Sequence, residues 1–312
     1  MRNLVNILVR RGYSTLVPKF EEIKIPVPWG HIAAKWWGPQ DKQPVLALHG
    51  WQENCNSFDP LMKILPADLS ILAFDMPGNG YSSRYPTHGQ FHVLEDVLAL
   101  RALNKHFAFK DPIKFLLHSY SIGAGFIYAS NYQTDVERML VIDYIKPQSL
   151  DGKLLANAGG QFLDKLVDIA MDTEKVKEAT LEKHAETYRK GVMNSISLEN
   201  SKLLMERSTA LNPETGLYYI TRDPRIKINF YFSFPNEFFV EMAKNIRCKI
   251  FYIRAKKGLV FEHPKVIKAV QVEIEKATDV EYVEVDATHH VHMEKPELVK
   301  PFVLDFLFGR KC

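Results

Sequence analysis

The chain has 312 residues, 46% hydrophobic and 25% charged, which suits one large soluble domain with a full core rather than a disordered or fibrous chain. Its 40 lysines and arginines against 37 acids leave a net charge of +3, spread without a basic run beyond the N-terminus, so no footprint for a nucleic acid is present. Cys55, Cys248 and Cys312 are odd in number, far apart and outside any CxxC or His/Cys ligand spacing, which argues against a disulfide framework or a zinc site, and no apolar run approaches the ~20 residues of a membrane span.

In chain order, residues 1–19 carry Arg2, Arg10, Arg11 and Lys19 but no acid, with Leu4, Ile7 and Leu8 on one helical face. That is the composition of a mitochondrial transit segment, and Arg11-Gly12-Tyr13-Ser14 resembles a matrix-protease cleavage site, so mitochondrial import is expected, the alternative being a basic cytoplasmic terminus. From residue 21 to about 145, short apolar strand patterns alternate with helical ones. Val45–Leu48, Ile71–Phe74, Ile113–Leu117 and Met139–Ile142 read as strands, and Leu94–Phe107 as a helix. This alternation predicts an α/β fold with a mostly parallel sheet flanked by helices. Between 147 and 240 the strand signal gives way to charged helical segments, Phe162–Met171 and Thr173–Met193, and then to the aromatic stretch Phe230–Phe239; a helical cap insertion is expected there. The alternation resumes with a strand Lys249–Ile253, a helix near His263–Glu275, a strand Val280–Val285 and a final helix near Glu297–Leu307. The expected division is therefore a core of 20–146 and 241–312 around a cap of 147–240.

Three turns follow strands directly: His49-Gly50-Trp51, Asp75-Met76-Pro77-Gly78-Asn79-Gly80 and His118-Ser119-Tyr120-Ser121. In an open parallel sheet these carboxyl ends form the active edge. Together with His289-His290-Val291-His292-Met293-Glu294-Lys295-Pro296, this order resembles the α/β-hydrolase family over nearly the whole chain. Val27-Pro28-Trp29-Gly30-His31-Ile32-Ala33-Ala34-Lys35 and Leu48-His49-Gly50-Trp51 narrow the resemblance to the serine hydrolase-like proteins, including insect members.

The resemblance implies a cofactor-independent serine hydrolase with a nucleophile, a base, an acid and a backbone oxyanion hole. In the family, the nucleophile is followed nine and ten residues on by Tyr-Ala and twenty-four on by Asp; from Ser119 these are Tyr128, Ala129 and Asp143, and from Ser121 all three are missed. Ser119 is thus the implied nucleophile. Two flanks depart from the G-x-S-x-G pattern, which keeps side chains small around a strained turn: Leu117 is bulky, and Ser121 stands for glycine. His289 matches the base, with His290 the second choice and His292 packed under the loop. The usual acid position, in Arg254-Ala255-Lys256-Lys257-Gly258, holds no carboxylate, so Asp143 is the expected acid and Glu262 the alternative. Trp51 and Tyr120 would supply the oxyanion N–H groups, and Asp75 is expected to be structural. The substrate expected is a small, fairly apolar ester, with Tyr218, Tyr219, Phe230, Tyr231, Phe232, Phe234, Phe238 and Phe239 as a candidate apolar wall. The competing expectation, motivated by Leu117, Ser121 and the vacant acid position, is a hydrolase-fold protein that binds a ligand or partner without turnover.

Overall fold

The computed structural model describes residues 19–86, 91–171, 177–228 and 233–310. The expectations for residues 1–18 and for Phe230, Tyr231 and Phe232 lie outside them.

Among the described residues, eight strands form the main sheet: β1 (Phe20–Val27), β2 (Gly30–Trp37), β3 (Val45–Leu48), β4 (Ile71–Phe74), β5 (Ile113–His118), β6 (Val136–Ile142) and, further along the chain, β10 (Lys249–Lys257) and β11 (Val280–Thr288). Their order is β1-β2-β4-β3-β5-β6-β10-β11. The first two are antiparallel, and every pair from β4 onward is parallel. Burial explains the order. Val45–Leu48 and Ile71–Phe74 are buried at every position, as a strand covered on both faces must be, whereas β1 and β11 alternate and lie at the edges.

The period of two divides the core. On β5, Phe115 and Leu117 join one cluster, with Phe126, Phe239 and Val270, while Leu116 joins the other, with Leu140, Phe251 and Phe306. On the first face lie the helices Val93–Phe107, Ile122–Asn131, Asn236–Ala243 and Pro264–Ala277. Val93–Phe107 begins where His92 and Glu95 cap it reciprocally and ends at Ala108 in the left-handed region. The expected final helix is broken into short turns, Pro296–Leu298, Lys300–Phe302 and Val303–Leu307, because Pro296 and Pro301 deny the backbone donors a continuous helix needs.

Between β6 and β10 lie the helices Gly152–Ala170, Leu181–Gly191 and Leu198–Ser208, with a small antiparallel sheet of β7 (Glu178–Ala179), β8 (Thr209–Leu211) and β9 (Tyr218–Ile220). The helix Asn236–Ala243, whose start falls within residues 147–240, buries Phe239 and Ala243 in the main core and packs on Ile122–Asn131 and Pro264–Ala277. The segment between β6 and β10 is tied to the rest of the chain by polar contacts: the Asn54 amide donates to the Leu204 carbonyl at 2.8 Å, and the Trp51 indole donates to the Ile226 carbonyl at 2.7 Å. Arg207 makes a charged tie. Its Nε donates to buried Asp75 at 2.8 and 3.1 Å, and its terminal nitrogens reach Glu22 on β1. Asp75 also accepts the backbone N–H groups of Cys55 and Tyr81. No helix among the described residues is long and apolar enough to cross a membrane.

Candidate active site

β5 ends at His118 and the chain turns sharply. Ser119 adopts φ +53°, one 3-10 turn runs to Ser121, and the helix Ile122–Asn131 follows. A non-glycine residue in this region costs on the order of 1–3 kcal/mol, so its surroundings must hold it. Ser121 supplies one restraint. Fully buried, its hydroxyl accepts the His118 N–H at 3.0 Å and donates to the Leu48 carbonyl at 2.8 Å, pinning the turn to the end of β3. Ser121 is therefore a brace, and half-buried Ser119 is the serine that lines a cavity. Leu117 finds its room at Gly125, where a Cβ would lie only 2.4 Å from Leu117 Cδ1. The bulky flank is accommodated by the missing side chain on the next helical turn.

Asp143 follows β6 directly, also at positive φ (+57°). Its backbone N–H donates to the Ile253 carbonyl at 2.7 Å, and its Oδ1 accepts the Ala255 N–H at 2.8 Å. Gly258 leaves the space, since a Cβ there would stand 2.2 Å from Asp143 Oδ2. That second oxygen meets His289 Nδ1 at 2.6 Å, and His289 Nε2 lies 2.7 Å from Ser119 Oγ. Because Asp143 offers only acceptors, Nδ1 carries the proton and Nε2 turns its lone pair toward the serine hydroxyl. Burial pushes the His289 pKa down, while the hydrogen bond and charge of Asp143 pull it up and that of His290 adds to the lowering. The net direction is downward, so the ring is neutral near pH 7 and able to take a proton.

The other candidates are placed as follows. Glu262 is engaged elsewhere: it accepts from Lys146 Nζ at 2.7 and 2.8 Å, from the Tyr144 hydroxyl at 3.0 Å and from the Ser149 N–H at 3.1 Å. The reason is Lys146, a fully buried cation that requires a carboxylate. His290 points away from Ser119, with Nδ1 2.9 Å from Ser195 Oγ and Nε2 3.3 Å from Glu53. His292 lies buried with Nε2 2.7 Å from Ser57 Oγ. Trp51 occupies the turn after β3, and Tyr120, beside the serine, donates its hydroxyl to Asp96 at 3.1 Å. Burial pushes the Asp96 carboxyl up to about 8 despite that bond.

The cavity at Ser119 encloses about 560 Å³, counting its open mouth. Val93, Ile122, Tyr144, Pro147 and Phe261 give it an apolar lining, with Gln148 and Ser233 among its polar groups. This corrects the expected aromatic wall. Among the described residues, Tyr218, Tyr219, Phe234, Phe238 and Phe239 do not line it; Phe239 is core, and Phe234 stacks on Phe238 at 4.1 Å. Sequence reasoning also passed over Glu53, Lys146 and Arg207, whose charges give no hint of burial. Among the described residues, Glu53, His118 and His292 form the one group with metal-ligand chemistry, their ligand atoms lying within 4.8 Å of one another. Of these side chains' polar atoms, only His292 Nδ1 lacks a hydrogen-bond partner.

Comparison with known proteins bears on the family and the fold. The family model described as the alpha/beta hydrolase fold matches residues 43–296. A Drosophila melanogaster protein called a probable serine hydrolase is 37% identical, covering 92% of this chain and 88% of its own length. A mouse serine hydrolase-like protein is 30% identical over 92% of this chain and 96% of its own. Among solved structures, a hypothetical protein of Pseudomonas aeruginosa superposes with a TM-score of 0.78 at 24% identity, covering 93% of this chain and 100% of that one.

Proposed function

Since the chain belongs to the α/β-hydrolase family, we propose that it is a serine hydrolase in which Ser119 is the nucleophile, His289 the general base and Asp143 the orienting acid. One observation carries this reading: the unbroken chain from Asp143 through His289 to Ser119, with steps of 2.6 and 2.7 Å. The Ser119 hydroxyl gives its proton to His289 Nε2 as its oxygen attacks the substrate carbonyl carbon. Asp143 stabilises the imidazolium that forms. The tetrahedral oxyanion is held by the backbone N–H groups of Trp51 and Tyr120, each such donor contributing roughly 3 kcal/mol to the transition state. Collapse expels the alcohol, which takes the proton back from His289 and leaves an acyl-enzyme. Water, activated by the same ring, then releases the acid and free Ser119.

The substrate class follows from the cavity. Its apolar lining favours a small, fairly apolar ester or related acyl compound, with Gln148 and Ser233 offering a polar edge. Turnover of short-chain p-nitrophenyl esters tests the reading: the wild type is expected to hydrolyse them, and Ser119→Ala to fall by about 10⁶ in kcat. Retained turnover in that variant would overturn it.

The pH profile gives a second check. The active form has neutral His289, and burial lowers its pKa, so the acid limb of kcat/KM should fall below the ordinary histidine value of 6.5. Removing the Asp143 charge takes away an interaction that favours the imidazolium. Asp143→Asn should therefore move the limb to still lower pH while reducing its height. A limb that moved upward would contradict the assigned contact.

A further inference from the structure

Gly123 is the second residue of the helix Ile122–Asn131 and lines the cavity together with Ser119. Four residues separate the two, roughly 6 Å along the axis at the helical rise of ~1.5 Å per residue. The backbone of Gly123 is helical, a conformation open to any residue, and glycine forms helices less readily than alanine. What glycine supplies here is room. A Cβ at this position would lie 2.9 Å from Val93 Cγ2 and 3.9 Å from Pro147 Cβ. Both of those residues also line the cavity, Val93 from the start of the helix Val93–Phe107 and Pro147 from the segment after Asp143.

Gly125, two residues on, makes room of a different kind. The atoms nearest its Cβ position belong to Leu117 on β5, a core side chain, so the missing side chain there serves packing within the core. The space at Gly123 instead lies between two walls of the cavity. A single methyl group there would bridge Val93 and Pro147 and narrow the cavity between them. The walls nearby, Ile122, Tyr144 and Phe261, are apolar or aromatic, so a hydrocarbon chain is the group this space suits.

We propose that Gly123, with Val93 and Pro147 facing it, is a specificity-determining residue that admits the longer alkyl chain of the substrate. Its kinetic consequence rests on the hydrolase reading above, whereas its geometry does not. Because Gly123 stands roughly 6 Å beyond the nucleophile, a two-carbon group ends before it and an eight-carbon chain must pass it. Discrimination then comes from shape: room for one methylene in an apolar pocket typically changes kcat/KM by about 10–200-fold. Gly123 takes no part in proton transfer.

The test is the ratio of kcat/KM for an eight-carbon chain to that for a two-carbon group, in which any loss common to all substrates cancels. Two series supply it, p-nitrophenyl octanoate against acetate and octyl acetate against ethyl acetate, and they tell whether the chain belongs to the acyl or the alcohol part. Folded Gly123→Ala should lower the ratio by at least about tenfold in one of them. Adding Val93→Ala, which removes the atom that the new methyl meets, should bring the ratio back to within about threefold of the wild type. Val93→Ala alone should raise it severalfold, and it decides the matter should Gly123→Ala fail to fold. An unchanged ratio in both series, or a loss that Val93→Ala does not relieve, overturns the proposal. A wild type that hydrolyses no ester sinks the hydrolase reading alone. Calorimetric titration with n-octanol then tests the cavity without turnover: binding at least about tenfold weaker in Gly123→Ala supports the proposal, and equal binding overturns it.

Discussion

Asp143→Asn is expected to lower kcat for ester hydrolysis by about 10⁴, the loss seen when the orienting carboxylate of a serine-protease triad becomes an amide. Asparagine fills the same space and retains an acceptor, but its amide can also turn a donor toward His289 Nδ1. The ring then favours the tautomer with its proton on Nε2, facing Ser119, where it cannot accept the hydroxyl proton. Glu262→Gln should differ in kind. Glu262 neutralises buried Lys146 and holds the segment from Tyr144 to Ser149, part of which lines the cavity, so its loss should raise KM and lower stability, with kcat changed less than tenfold or so. Steady-state kinetics on both folded variants distinguishes them. Comparable losses of kcat would mean that the short Asp143–His289 contact is not what orients the base.

The largest expected effect on stability lies at Arg207. Its guanidinium is almost wholly buried against Asp75, which is fully buried, and joins the helix Leu198–Ser208 to the turn after β4 and to β1. Arg207→Met keeps most of the volume but leaves the Asp75 carboxylate without its cation. Breaking a buried pair in this way costs roughly 3–5 kcal/mol. For a chain of this length that corresponds to a fall in Tm of about 5–8 °C. Thermal unfolding checks it, and a shift of under about 1 °C would show that Asp75 is satisfied by its backbone donors alone. Gly80 belongs to the same arrangement: at φ +50°, a Cβ there would lie 2.2 Å from Asp75 Oδ2.

Much of this was legible in the sequence because it depends on order and spacing. The strands Val45–Leu48 and Ile71–Phe74 were readable as continuous apolar runs, and their structural bounds coincide with the reading. The register from Ser119 to Asp143 brought forward the carboxylate that the structure places against His289. What the sequence concealed depends on three-dimensional compensation. Leu117 looked like an obstacle to the nucleophile turn because the glycine that makes room for it, Gly125, lies eight residues further along. The helix Gly152–Ala170 begins well before Phe162, since Asp151 caps it and the intervening Gly159-Gly160 obscured its period. Buried charges were the least visible. Glu53, Lys146 and Arg207 have the same letters as solvent-exposed residues, and only the partners that close around them reveal otherwise.

The motives for a non-catalytic reading weaken on the same grounds. Leu117 is housed, Ser121 braces the turn, and a carboxylate meets the base from β6 in place of the strand where it is usual. The most direct measurement of the central claim is covalent labelling with a fluorophosphonate probe, with the modified peptide located by mass spectrometry. The account predicts a single adduct on Ser119 in the wild type, retained in folded Ser121→Ala and absent in Ser119→Ala. An adduct on Ser121, or labelling that persists without Ser119, would contradict it.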